Sequence, residues 1–498
     1  MIPWPAKSRT LPPSRSRTTN PGVSRLASRG IRRLLGAIAL VAGLLHVGCS
    51  REETSLESVL LITVDTMRPD YLSMNGYPLP TTPYLDRLLG EGAYFERAVT
   101  PIARTTPAVA SMFTGGYPHT TGVRTLTNPL SPGVRTLAET LSDHGRQTLA
   151  VVTNHILSPS RRLDRGFDKY RHSANQPYAP TVTQVALEEL AGMDPDRPLF
   201  MWVHYLDPHI PYNPPEPLPA EFDPGYEGPH QKEFFLRSPD MPEVERAERI
   251  HNGSFPERVN EHIRRLHAGM YRSFDDGLEP LVTRLKELYG ESLLIVFTSD
   301  HGESLGEHEL YWDHGDYVYN AATRIPLGFV FPTSHALHGG RRVGGQASLV
   351  DLTPTVLELL RIPTSDAIFD QLEGHSLVSA MAGEPAQDHP VFLESGYCYY
   401  PEYVGRRIRN DVAGRFRAVI LGDWKLIWTP FQTEDAAWEL YDLSADPDET
   451  KNLYSPDRPE VGPLRAQLDR WMRTSFEDAV PNLEGEDLEA LKALGYVR

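Results

Sequence analysis

The sequence predicts an α/β fold: a doubly wound, mixed and mostly parallel sheet flanked by helices, with a smaller C-terminal antiparallel β/α lobe. Two observations predict it. Apolar runs rich in Val, Ile and Leu are separated by helical stretches, and several end in a polar residue able to do chemistry. Such runs suit buried parallel strands, whose two faces are both covered. Beyond about residue 385 the pattern shortens to alternating segments, which suit antiparallel strands.

Residues 1–49 read as an export segment. Arg29, Arg32 and Arg33 precede an uncharged apolar run from Leu34 to Val47, which meets Gly48-Cys49-Ser50. That run is too short to span a bilayer comfortably. Gly48-Cys49 resembles a bacterial lipoprotein cleavage site. The expected location is therefore the bacterial cell envelope, with a lipid on Cys49 as membrane anchor, or the medium if the chain is simply secreted. If Cys49 is lipidated, Cys398 is alone and no intrachain disulfide framework exists.

In the remaining chain, Ser58 to Val64 ends at Asp65, and Thr148 to Val152 ends at Thr153-Asn154-His155. Leu199 to Tyr205 ends at Asp207-Pro208-His209, and Leu293 to Phe297 leads to Asp300-His301. Ile263, Leu266, Met270, Phe274, Leu278, Leu281 and Leu285 recur every three or four residues, which predicts a long helix covering the sheet. Residues 213–255 are rich in Pro, Glu and Asp without period and read as a surface insertion at the substrate entrance. In the C-terminal lobe, Ala418-Val419-Ile420, Lys425 to Trp428 and Glu439 to Leu443 read as strands, followed by a final helix.

Charge narrows the function. Residues 1–50 hold eight Lys/Arg and no Asp/Glu, so the remainder carries 41 basic against 66 acidic residues. So acidic a surface argues against nucleic acid as a partner. Sites in open α/β sheets lie at the carboxyl ends of strands. There Asp65 and Asp300-His301 offer the oxygen and nitrogen donors that a divalent cation needs, although an Asp after a strand is also a common helix cap. Arg104-Thr105-Thr106-Pro107 before Ala108-Val109-Ala110 reads as a Thr cap with Pro at the first helical position. A hydroxyl there faces unpaired backbone N–H groups that suit an anionic ester. Trp202, Tyr205, Tyr212, Tyr311 and Trp312 either stack on a leaving group or pack the core.

Several ordered blocks resemble the bacterial sulfatase family, of the alkaline-phosphatase superfamily. They include Leu61-Ile62-Thr63-Val64-Asp65-Thr66-Met67-Arg68-Pro69-Asp70, Thr105 through Gly115 with Tyr117-Pro118-His119, and Trp202 through Tyr212. Thr298 through His308, Arg324-Ile325-Pro326-Leu327, Asp351-Leu352-Thr353-Pro354-Thr355 and Glu439 to Leu443 continue the series. The resemblance implies an alkaline-phosphatase-like fold, with a catalytic domain over 50–385 and a C-terminal antiparallel subdomain over 386–498. It implies a metal held by Asp65, Asp300 and His301, with Thr66 where many relatives place a second Asp. Thr105 stands at the nucleophile position and would also touch the metal. His209 resembles the histidine that protonates the leaving group, and His314 the residue set against the anion. Asn154 and His155 fall near another Lys/His pair. His204 reads as a buried strand histidine.

Two departures from the family pattern matter. Sulfatases convert a Cys or Ser in Cys-x-Pro-x-Arg into formylglycine; here the motif is Thr105-Thr106-Pro107-Ala108-Val109, so no formylglycine is expected. The orienting arginine is replaced by Val109, which predicts one buried positive charge fewer. An unmodified Thr can still act in line on phosphorus. The expectation is a metal-dependent hydrolase of sulfuric or phosphoric esters of a small molecule or glycan, with Ca²⁺, or Mn²⁺ or Zn²⁺, as the metal. The competing expectations are a phosphoryl or phosphoglycerol transferase and a catalytically degenerate envelope binding protein.

Overall fold

The computed structural model describes residues 55–173, 177–228, 255–385, 389–399, 407–408, 414–430, 432–433 and 436–474. The expected export segment 1–49, with Cys49, lies outside them. Among the described residues no helix is long and apolar enough to cross a membrane.

The large sheet contains β1 (Ser58–Val64), β2 (Gly92–Val99), β3 (Gln147–Val152), β4 (Lys169–His172), β5 (Leu199–Tyr205) and β6 (Leu293–Ser299). Two short strands, β7 (Ser304–Leu305) and β8 (Tyr311–Asp313), pair with each other, and β9 (Arg324–Val330) and β10 (Arg341–Ser348) complete the large sheet. Its order is β10-β2-β9-β6-β1-β5-β3-β4, with only β9 antiparallel to its neighbours. This is the mixed, mostly parallel sheet expected. β2, β4 and β10 were not legible as strands: Arg341–Ser348 carries two adjacent glycines, and Lys169–His172 is an edge strand with no apolar run.

Principal helices α1 (Pro83–Leu89), α2 (Thr105–Thr114), α3 (Leu137–Asp143), α4 (Ala179–Leu190), α5 (Glu257–Tyr289) and α6 (Leu352–Leu359) divide between the two faces. Strand alternation decides which side chains meet which helices. Val59 and Leu61 of β1, Phe200 and Trp202 of β5, and Leu294 and Val296 of β6 join α2, α3 and α6 in one core. Leu60, Ile62, Met201, Val203, Ile295 and Phe297 join α1, α4 and α5 in the other. The predicted long helix is α5, 33 residues or about 50 Å. All seven of its predicted stripe residues are buried. Gly277 lets it approach α4 closely: a Cβ there would lie 2.7 Å from the Pro180 nitrogen.

In the described part of the expected insertion, residues 213–228, a short helix Leu218–Phe222 packs Leu218 and Phe222 into the second core. That part is therefore docked rather than loose.

The smaller sheet runs β11 (Val391–Glu394), β14 (Arg417–Leu421), β15 (Trp424–Trp428), β16 (Trp438–Asp442), all antiparallel, after a pair β12 (Cys398–Tyr399) and β13 (Arg407–Ile408). Helix α7 (Val461–Thr474) covers it through Val461, Leu464, Leu468 and Trp471. The buried Lys425 ammonium ties this sheet inward, donating to the Val318 carbonyl at 2.6 Å and pairing with Glu449 at 2.6 Å.

Leu278→Ala, which empties a fully buried position in α5, is expected to cost about 2–5 kcal/mol of stability. The urea unfolding midpoint measures it.

Candidate active site

The alternation that builds the first core also builds the site. Residues 59, 61 and 63 of β1, 200 and 202 of β5, and 294, 296 and 298 of β6 share one face, aligned with Thr63 opposite both His204 and Thr298. Continuing these rows gives Asp65 and Asp300 just past the carboxyl ends of β1 and β6, and His204 in the last pleat of β5. Ligand atoms of these three lie within 4.8 Å of one another, and all three are fully buried. Helix α2 packs on the same face, so its N-terminus delivers Thr105 to this cluster.

The Thr105 hydroxyl lies 3.3 Å from His301 Nε2. His301 Nδ1 donates to the Gly302 carbonyl at 2.9 Å, which leaves the Nε2 lone pair facing Thr105, Asp300 Oδ2 at 3.5 Å and Asp65 Oδ1 at 3.9 Å. Burial, with Arg104 nearby, pushes the His301 pKa down to about 3, so the ring is neutral. His204 reaches Asp65 Oδ2 at 3.6 Å through Nε2, while its Nδ1 bonds Thr63 Oγ1 at 2.8 Å. Burial lowers its pKa to about 4. His204 is thus buried in its strand as expected and is also a member of the cluster.

Asn154 joins as well, donating to Asp65 Oδ2 at 2.6 Å. His155 does not: it is half-buried and its ring neighbours His172. Thr66 has a φ of 56°, a left-handed conformation that is costly for a β-branched residue. It turns the Thr66 N–H onto Asp300 Oδ1 at 3.2 Å; the Thr66 hydroxyl is buried without a hydrogen-bond partner.

The donor set fits a divalent cation. Burial, then the Asp65 charge, raise the Asp300 pKa well above the carboxylate range. Asp300 Oδ2 and His204 Nε2 are buried with no hydrogen-bond partner. Two carboxylates and imidazole nitrogens converging in a dry site form the coordination set of such an ion.

Helix α2 starts two residues earlier than the Thr-Thr-Pro pattern predicts. Arg104 is the N-cap, its carbonyl accepting from the Ala108 N–H at 2.9 Å, and Thr105 is the first helical residue. Pro107 is tolerated third because the N–H groups of the whole first turn lack intrahelical partners. Val109 is buried in the first core, and a buried arginine, Arg104, stands at the N-cap of the same helix. Arg104 is 1% exposed, donates to the His314 carbonyl at 3.1 Å and to the Tyr397 hydroxyl, and lies over the Tyr397 ring. Gly315 and Gly396 make its slot: a Cβ on either would lie 2.3 Å or 2.2 Å from the Arg104 stem.

The other two sequence-predicted histidines converge here. His314 stacks obliquely on His301 with ring centroids 4.3 Å apart, and His209 sits edge-on to His314 at 5.5 Å. His209 Nδ1 donates to the Ile210 carbonyl at 2.7 Å, so proton chemistry falls to its Nε2. Of the aromatic residues, Trp202, Tyr205, Tyr212 and Trp312 are buried and Tyr311 is half-buried. Trp202 donates to Thr63 Oγ1 and Tyr205 bonds Thr183, which makes both core residues.

A sulfatase family model matches residues 57–362, and the model of the N-sulphoglucosamine sulphohydrolase C-terminal region matches 306–477. An N-acetylglucosamine-6-O-sulfatase of Bacteroides thetaiotaomicron is 22% identical over 482 residues, spanning 81% of this chain and 84% of that protein. A multifunctional alkaline phosphatase superfamily protein of Trinickia caryophylli is 27% identical over 425 residues, spanning 66% and 78%. The crystal structure of the phosphonate monoester hydrolase of Agrobacterium radiobacter has the same fold, with a TM-score of 0.65 and 21% identity over 84% of this chain and 95% of that one.

Two outcomes follow for the isolated protein. Mn²⁺, Zn²⁺ or Ca²⁺ at a hundred times its Kd is expected to add about 2.7 kcal/mol of stability, and Asp300→Asn to abolish the rise in Tm, both by calorimetry. Asp207, in the loop before His209, is buried, and burial, only partly offset by the backbone N–H groups of Asp207 and Ala179, pushes its pKa up to about 7. The native state therefore holds this proton longer than the unfolded chain, and stability falls as pH rises from about 4 to about 7. Asp207→Asn is expected to flatten that slope and raise Tm above neutrality.

Proposed function

We propose, on the premise that this chain belongs to the sulfatase family of ester hydrolases, that it cuts sulfuric or phosphoric esters with Thr105 as nucleophile. The observation that carries this reading is the Thr105 hydroxyl at 3.3 Å from His301 Nε2, at the N-terminus of α2 and beside the buried Asp65–His204–Asp300 cluster. Asp65, Asp300 and His301, with Thr105 and Thr66 at the edge and His204 behind Asp65, would hold a divalent cation. Such an ion supplies positive charge that favours the Thr105 alkoxide and the ester oxygens. Imidazole among the donors favours Mn²⁺ or Zn²⁺ over Ca²⁺.

The steps fall to this chain's own groups. Thr105 Oγ attacks phosphorus or sulfur, and the bond to the leaving oxygen breaks opposite. His209 Nε2 gives that oxygen its proton and then takes one from the water that hydrolyses the ester on Thr105. His314 and the first turn of α2 face the anion, with Arg104 adding charge from the N-cap. A threonine forms no aldehyde hydrate, so the covalent ester must leave by attack of water; phosphorus accepts such attack, and this favours phosphoryl substrates. Two of the relatives, an N-acetylglucosamine-6-O-sulfatase and a phosphonate monoester hydrolase, bracket the same choice. Export through residues 1–49, with an anchor at Cys49, belongs to this reading.

The test is nitrophenol release from paired aryl sulfate, phosphate monoester and phosphonate substrates with Mn²⁺, Zn²⁺ or Ca²⁺ added. Phosphoryl turnover is expected, with a loss of at least about a thousandfold in Thr105→Ala. Turnover surviving that substitution would point to activated water instead, and silence on every ester to a binding protein. Diversion of product by glycerol would identify a transferase.

A further inference from the structure

The site contains a carboxylate that the reaction above leaves without a role. Glu303 is fully buried, two residues beyond His301, and its carbonyl accepts from Arg68 at 3.0 Å. Its carboxylate bonds in two directions. Oε1 lies 3.2 Å from His314 Nδ1. Oε2 accepts from the hydroxyl of Tyr212, which is itself fully buried and three residues beyond His209 on the same loop.

A carboxylate with two such partners has a definite effect on each. With Glu303 ionised its oxygen accepts only, and the His314 proton that faces it then sits on Nδ1, which fixes the ring plane. Nε2 is then the nitrogen that His314 turns to the anion, beside His301. Tyr212 in turn pins the end of the 206–212 loop, whose Ile210 carbonyl holds His209 Nδ1. One side chain thereby registers two histidines from separate segments of the chain, 209 and 314, whose ring centroids lie 5.5 Å apart. Groups that orient an imidazole in this way commonly change rate by one to two orders of magnitude when removed.

We infer that Glu303 is a positioning residue: through His314 Nδ1 and the Tyr212 hydroxyl it fixes the ring orientation of His314 and the seating of the His209 loop. The inference rests on the reading of His209 and His314 as groups acting on the ester, and its test has an arm that does not require turnover.

In that arm, the ring nitrogen resonances of ¹⁵N-histidine protein are recorded at one pH, with His314→Gln assigning its signals. Wild type is expected to show a hydrogen-bonded His314 Nδ1–H, and Glu303→Gln to lose or shift it while Tm and bound Mn²⁺ stay as in wild type. An unshifted signal would overturn the inference. In the kinetic arm, Glu303→Gln is expected to lower kcat on an alkyl ester by roughly a hundredfold with KM little changed, and far less on the nitrophenyl ester, which leaves with little help. Glu303→Asp, which keeps the carboxylate, should recover part of the loss, and Tyr212→Phe should show the same pattern more weakly. An equal loss on both esters accompanied by a fall in Tm would make Glu303 structural only. Should wild type cut no ester, the proposed function fails, and the ring signals still decide whether Glu303 fixes the His314 ring.

Discussion

Asp65 and Asp300 are buried side by side at the edge of a sheet, and most of the surrounding architecture answers that fact. Burying one carboxylate costs several kcal/mol even after relaxation, and a second like charge beside it adds to the cost. The structure meets part of it with neutral donors: the Asn154 amide on Asp65, and the Thr66 and His301 N–H groups on Asp300. Thr66 accepts a strained backbone to make its share of these bonds. What remains is an attraction for positive charge that a hydrophobic replacement would lack, and this is why the cluster reads as functional rather than structural.

The sheet makes this arrangement inexpensive in sequence terms. Parallel strands β1, β5 and β6 run side by side, so the same-face rows followed to the carboxyl ends of the strands bring three chemical groups together from positions 65, 204 and 300. The same face receives α2, and its first residue is Thr105. Core packing and site assembly are consequences of one periodicity, and the first core cannot shift register without dispersing the ligands.

That periodicity also explains what could be read without coordinates. The strands carrying Asp65, His209 and Asp300, the stripe of α5 and the C-terminal strands are strong apolar patterns, and they lie where the sequence indicates. β2, β4 and β10 lack such patterns and owe their place to pairing with neighbours. His204 is apolar in context, flanked by Val203 and Tyr205, so only the two-residue alternation along β5 shows that it shares the face of Trp202 and continues toward Asp65. Arg104 and Glu303 carry no local signal at all. The partners of Arg104, His314 and Tyr397, are 210 and 293 positions away, and Tyr212 is 91 positions from Glu303, although His314 lies only 11 from it.

Arg104 also joins the lobes. Its stem passes between Gly315, at the rim of the large sheet's site, and Gly396, just past β11 of the smaller sheet. The Gly396 and Tyr397 N–H groups both close on the Gly315 carbonyl, at 2.7 Å and 2.9 Å. Positions 104, 315 and 396 therefore form a single steric unit with members from both halves of the chain. A chimera that kept this catalytic half but borrowed a relative's C-terminal half would need a glycine at the borrowed position, or the arginine would be expelled from its slot. Exchanged together, the two halves keep this unit, along with the apolar clusters in which Val99, Val318, Tyr117 and Val350 pack against the smaller sheet and its helix.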